Sequence, residues 1–164
     1  MALTLVRRAG VDTLAKLQAA APLRFREART LHAQGEHLGA IYLYGYSIEI
    51  RLKVAYYRTI GLVPGTIIDA KLHRKPAESA IDGMKLLPRH TTPPGPSAGH
   101  HVVGWARLLE QARTMPGRTP MDPAMANQMK WHADNVFSCW VEFLRYRANR
   151  PYDNELRAVI DAAT

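Results

Sequence analysis

Residues 39–58 read GAIYLYGYSIEIRLKVAYYR. Ile41, Tyr44, Ile48, Leu52 and Ala55 recur at helical spacing along one side of this stretch. Leu43, Tyr46, Ile50, Val54 and Tyr57 recur along another. A surface helix needs one apolar stripe, and a helix with two is packed on both sides. The stretch therefore reads as the central helix of a bundle, or as a helix shared between a core and a subunit interface. Into this apolar setting the chain places Glu49 and Lys53, one helical turn apart.

Outward from the central helix, the punctuation is helical throughout. VDTLAKLQAA, residues 11–20, reads as a short helix with Asp12 as its cap. Pro22 opens the next, PLRFREARTLHAQ, where its missing N–H costs nothing, and Gly35 breaks the path before residue 39. Gly61 and the Val63-Pro64-Gly65 turn end the central helix. Residues 66–87 hold two short helical pieces interrupted by Pro76, and PRHTTPPGPSAG is a proline- and glycine-rich loop. Such a loop is a mobile tip or part of a binding surface.

Ser97 reads as the cap of a helix through GHHVVGWARLLEQAR, with Val102, Trp105, Leu109 and Ala112 on one side. A second loop spans 115–121. Asp122-Pro123 is a strong start, a capping acid followed by proline at the first helical position. That helix is expected to run through Met125, Met129, Val136, Trp140, Phe143 and Leu144 until Pro151 stops it. Asp153 then caps a closing helix, NELRAVIDAA. No segment alternates at period two and nothing repeats. The expected fold is all-α, one domain over residues 1–164, an antiparallel bundle of about four to six helices.

Composition agrees with a folded chain: 47% apolar and 22% charged, in 164 residues. A single cysteine, Cys139, excludes an internal disulfide and points to a reducing cytoplasm. Its apolar helical context suits a small core residue rather than a nucleophile. MALTLVRRAGVDTL lacks an apolar run long enough for a signal peptide or a spanning helix, so no membrane association is expected. The formal net charge of +8 attracts phosphate backbones, anionic lipid or acidic proteins, and equally fits solvated arginines. Arginines gather as Arg24, Arg26 and Arg29, and again as Arg145, Arg147 and Arg150.

Metal and cofactor chemistry has no signature here. His100-His101 is a doublet whose side chains diverge on a helix, and His32 and His37 are off same-face spacing with Gly35 between them. Surface or capping roles suit all seven histidines. There is no H-E-x-x-H, cysteine pair, acidic cluster or phosphate-cradling glycine loop, so no metal and no cofactor is expected. Glu49 and Lys53 have the favourable i, i+4 orientation, worth about 0.2–0.5 kcal/mol if exposed. Between apolar stripes they read as a structural ion pair, satisfied by each other or by Arg145, rather than as a proton-transfer carboxylate. Five tyrosines on one helix fit core packing, and also fit a homodimer face made of Tyr44, Tyr46 and Tyr57.

Ala40, Tyr42, Leu43, Gly45, Tyr46, Glu49, Leu52 and Lys53, in the order A-x-Y-L-x-G-Y-x-x-E-x-x-L-K, resemble the central-helix signature of the HEPN superfamily. Arg26, Ala28, Leu31 and Gly35 resemble its first helix, His101 and Leu108 a His-to-Leu spacing, and Trp140, Leu144, Arg145 and Tyr146 its W-x-x-x-L-R-Y ending. The resemblance covers roughly residues 24–153 and implies a small helical, commonly dimeric domain. Many members are RNases or partners of nucleotidyltransferases.

The family's RNase motif sets an arginine four to six positions ahead of a histidine near the start of the last conserved helix. The arginine stabilises phosphate charge and the histidine moves a proton. Here the last histidine, His132, has no such arginine before it, and the Arg145–Arg150 run has no histidine after it. Arg26 and His32 have the spacing, but in the first helix. The resemblance thus implies a non-catalytic binding and dimerisation module of a toxin–antitoxin or defence system. It would contact RNA, through Arg147 and Arg150, or a nucleotidyltransferase-type protein. Two alternatives stand beside it. One is an RNase with a displaced site built from Arg145, Arg147 or Arg150, and the other is a scaffold that binds no nucleic acid.

Overall fold

A computed structural model describes residues 12–68, 100–140 and 151–164. They form five helices: α1 (Leu14–Ala33), α2 (His37–Thr59), α3 (Val102–Arg113), α4 (Pro123–Cys139) and α5 (Asp153–Ala163). The expected all-α bundle is what the chain adopts. Among the described residues the one β feature is an isolated bridge between Thr13 and Ile67. No helix of the described residues is long and apolar enough to cross a membrane.

The doubly apolar helix is central, as its two stripes require. α2 packs on α1, α3 and α5, while α4 closes the other side against α3 and α5. Its N-terminal half, with Ile41, Tyr44 and Ile48, meets Val102, Val103, Val136, Trp140 and Val159 in one core. Its C-terminal half, with Ile50, Val54 and Tyr57, meets Leu14, Ala21, Trp105 and Leu108 in a second. Burying that apolar surface is the main force holding the bundle together.

Both ends around α2 close by the same device. At the end of α1, Glu36 N donates to Leu31 O and Gly35 N to His32 O; at the end of α2, Leu62 N donates to Tyr57 O and Gly61 N to Arg58 O. This paired pattern needs a left-handed residue, and glycine supplies it at φ +80° and +95°.

The N-terminal half departs from the expected two helices. α1 runs unbroken from Leu14 to Ala33 with Pro22 inside it. An internal proline costs about 3 kcal/mol because a ladder bond is lost and the ring crowds the preceding turn. Leu14, Ala21 and Ala28, seven residues apart, are all buried along α1. One continuous helix keeps them on one face against α2, which offsets the proline. Ser47 Oγ also donates to Ala21 O at 2.9 Å, beside the interrupted turn.

The cap of α1 is Thr13, whose side chain accepts from Lys16 N at 3.3 Å, not Asp12. Asp12 instead accepts from Ile68 N with its backbone carbonyl, while Leu14 N and Ala15 N donate to Thr66 O and Pro64 O. The chain after α2 folds back over the start of α1 and satisfies its first donors.

Three further boundaries differ from expectation. α3 is capped by His101, whose Nδ1 accepts from Gly104 N at 3.3 Å; Ser97, the anticipated cap, lies outside the described residues. α4 begins as expected, with Asp122 Oδ1 accepting from Ala124 N and Met125 N. It ends at Cys139, however, and Trp140 is its extended cap rather than a helical residue. Extension swings the indole onto α2. α5 is capped by Tyr152, whose N–H donates to Glu155 Oε2 at 2.6 Å, so Asp153 is its first residue rather than its cap. The two helical pieces around Pro76, the whole of the proline- and glycine-rich loop at 86–97, Phe143 and Leu144 lie outside the described residues.

Candidate functional site

Two features stand out chemically: a charged cluster inside the bundle and arginine-lined cavities on its surface. The cluster is built on α2. Glu49 falls between the two apolar stripes and is 1% exposed; Lys53, one turn on, is 6% exposed. Lys53 Nζ donates to Glu49 Oε1, and the ammonium lies 5.4 Å from the centroid of the Trp105 ring. The other carboxylate oxygen, Oε2, is 2.9 Å from His100 Nδ1. Glu49 thus has each oxygen engaged, which is what an ionised carboxylate needs away from water.

The anticipated Glu49–Lys53 pair is present. Arg145, named as its other partner, lies outside the described residues, and His100 fills that role among those described. Nothing in the sequence except the His100-His101 doublet signalled this, because the contact spans 51 positions. His100 sits just ahead of α3 with its ring 5.7 Å from Tyr46, which in turn lies 6.1 Å from Trp140. His101 turns inward, caps α3 and stacks on Phe137 with ring centroids 4.3 Å apart.

Chemically, a carboxylate against an imidazole can orient the ring for proton transfer. Glu49 itself is out of a substrate's reach, whereas the His100 side chain is 24% exposed. Lys53 shares the same carboxylate, as a structural ion pair would.

The tyrosines expected at a dimer face behave differently from one another. Tyr44 and Tyr57 are buried inside the chain's own cores. Tyr44 meets Phe25 edge-on at 5.5 Å, and Tyr57 packs with Trp105 at 5.9 Å. Burial lifts both phenols above their ordinary range, with Arg29 pulling Tyr44 partly back and Tyr56 pushing Tyr57 further. These two rings pack the cores and present no face to a second chain. Tyr46 is half-buried.

Cys139 is a packed thiol, as anticipated. Its Sγ lies 3.3 Å from Asn135 O and 3.6 Å from Glu155 O, and burial, then the Glu155 charge, pushes it up to about 11. His32 and His37, set apart by spacing, meet edge-on at 5.8 Å because the Gly35 turn folds α2 back toward α1. Among the described residues no group of three or more His, Cys, Asp or Glu is placed to hold a metal ion.

The surface cavities are basic. Arg58, Thr59, Arg113, Gly117, Arg118 and Thr119 line one of about 500 Å3, where the ends of α2 and α3 meet the following loop. Arg58 also lines a neighbouring cavity of about 300 Å3 with Arg51, whose Nη1 donates to Ala163 O at 2.9 Å. Arg26 and Arg29, with Thr30 and Gln34, line a third of about 490 Å3 on α1. None of the described residues lining these three is acidic. Arg24, grouped with Arg26 and Arg29 in the sequence, is instead paired with Glu27. Arg147 and Arg150 lie outside the described residues. Sequence reading missed Arg58, Arg113 and Arg118, since only the third dimension gathers them.

No family model matches this chain, and neither a curated protein nor a solved structure matches it.

Proposed function

We propose that this chain is a non-catalytic, HEPN-like helical module that contacts RNA through arginines on its surface. It would work as a cytoplasmic homodimer, in a toxin–antitoxin or defence setting beside a nucleotidyltransferase-type partner. The observation that carries the RNA contact is the cavity lined by Arg58, Arg113 and Arg118, with no acidic residue among its described lining. Guanidinium groups match phosphate oxygens with paired donors, and three of them around one space make it attractive to an anion. Inside the molecule, by contrast, Lys53 and Glu49 neutralise one another.

The test is RNA binding measured across salt concentrations. Each neutralised phosphate releases a counterion, so affinity should fall steeply with salt. Replacing Arg58 and Arg118 together with Arg147 and Arg150 by alanine should lower the salt slope by roughly two to four units if each meets one phosphate. Unchanged affinity and slope would turn the reading toward a scaffold. Light scattering that gives a monomer mass at micromolar concentration would remove the homodimer.

A second reading has one observation in its favour: Glu49 holds His100 at 2.9 Å, as a carboxylate orients a proton-transferring imidazole. An RNase with a displaced site would pair His100 with Arg145, Arg147 or Arg150. Metal-independent RNA cleavage that disappears in both His100→Ala and Arg145→Ala would establish it. The proposed module cleaves nothing.

A further inference from the structure

The cavity between the ends of α2 and α3 has a charge that can be counted. Arg58, Arg113 and Arg118 bring three positive charges, and among the described residues no acidic side chain lines the space. Two of these arginines stand in the last turns of helices, Arg58 in α2 and Arg113 in α3. A helix C-terminus carries about half a negative charge, so cations there need no ligand to explain them. Two such ends offset roughly one of the three charges. About two positive charges are left over, and Arg118, in the loop beyond α3, answers to neither helix end.

The lining supplies suitable donors. Arg58, Arg113 and Arg118 each carry a guanidinium fork able to present paired N–H donors to an oxyanion. Thr59 and Thr119 add hydroxyls to the lining. Among the described residues no aromatic ring lines the space, so those residues offer no platform on which a base could stack.

We propose that this cavity binds a phosphate dianion, either free inorganic phosphate or the terminal phosphate of a phosphomonoester. Its two charges match the two left over, and its oxygens accept from three guanidinium groups and two hydroxyls. The inference rests on the same arginine cavity as the RNA reading, and sharpens it from a surface that follows a phosphodiester backbone to a pocket that holds one phosphate end.

Calorimetric titration of the intact protein with inorganic phosphate at pH 8 tests it directly. Binding is expected, and it should weaken about tenfold or more in Arg58→Ala/Arg118→Ala. Both residues are exposed, so their removal leaves the cores untouched. If the double variant nevertheless fails to fold, Arg118→Ala alone serves, since it changes only the loop beyond α3. Arg26→Ala/Arg29→Ala removes the same net charge elsewhere and should leave phosphate affinity unchanged. No phosphate binding, or equal weakening in both double variants, overturns the pocket.

A short RNA with and without a 5′-phosphate separates the two sources. Tighter binding of the phosphorylated form, lost in the Arg58/Arg118 variant, identifies a chain end. Equal binding of the two forms, with inorganic phosphate still bound, identifies free phosphate. Failure of both RNAs to bind, with inorganic phosphate still bound, would sink the RNA reading and leave the pocket standing.

Discussion

The indole of Trp140 lies directly over Gly45, so that a Cβ on residue 45 would overlap ring atoms Cδ1, Cγ and Nε1. The same ring donates from Nε1 to the carbonyl of Tyr42 at 3.0 Å. Ninety-five positions apart in sequence, the two residues form a socket that locks the end of α4 to the middle of α2.

The socket should be measurable as coupling. Gly45→Ala is expected to destabilise the fold by about 1–3 kcal/mol through overpacking, and Trp140→Ala by about 3–5 kcal/mol through the cavity it leaves. In the double variant the methyl occupies space the indole vacated, so Gly45→Ala should then cost almost nothing. Urea denaturation of the four proteins checks this; strictly additive costs would mean the socket is not what constrains residue 45.

Glu49→Gln should cost about 3–5 kcal/mol, because it strands the Lys53 ammonium at a site 6% exposed. Replacing both partners with apolar residues, Glu49→Leu/Lys53→Met, should recover much of that loss, since a buried pair is costly chiefly when broken. Thermal unfolding of the single and double variants decides it. A Glu49→Gln protein as stable as the parent would remove the structural role assigned to the pair.

Alkaline pH should weaken the fold through the buried tyrosines. Burial, reinforced by Tyr56, raises the Tyr57 phenol well above its ordinary value of 10.0, and burial also raises Tyr44 and Tyr56. The unfolded chain therefore loses these protons first. The stabilisation is complete below about pH 10 and is lost as pH rises from there toward the folded values. Tyr57→Phe should flatten the decline of Tm above about pH 10, read by circular dichroism. An unchanged slope would show that Tyr57 is not its source.

Cys139 should be slow to alkylate while the bundle is intact. Its thiol is pushed from 9.0 to about 11, first by burial and then by Glu155, which lowers the thiolate fraction near pH 8 by about a hundredfold for a shift of two. Iodoacetamide labelling at pH 8 should therefore be at least about a hundredfold faster in denaturing urea. Comparable rates in the two conditions would contradict the packed position at the end of α4.

How far the sequence reaches is clearest where cause is local. The two stripes of α2, the Asp122-Pro123 start and the glycine-terminated ends at Gly35 and Gly61 were all legible, because each depends on bonds and burial within a few residues. Glu49 with Lys53 was legible for the same reason, one helical turn apart.

Tertiary packing decided the rest. It ran α1 straight through Pro22, because Leu14, Ala21 and Ala28 gain more from one shared face than the proline loses. It drew Trp140 out of its helix to cover Gly45, and it turned Tyr44 and Tyr57 into the cores. It brought His100 to Glu49, and Arg58 to Arg113 and Arg118. Those arrangements join groups up to 98 positions apart. They depend on which helices meet and at what angle, and no local spacing of residues carries that information.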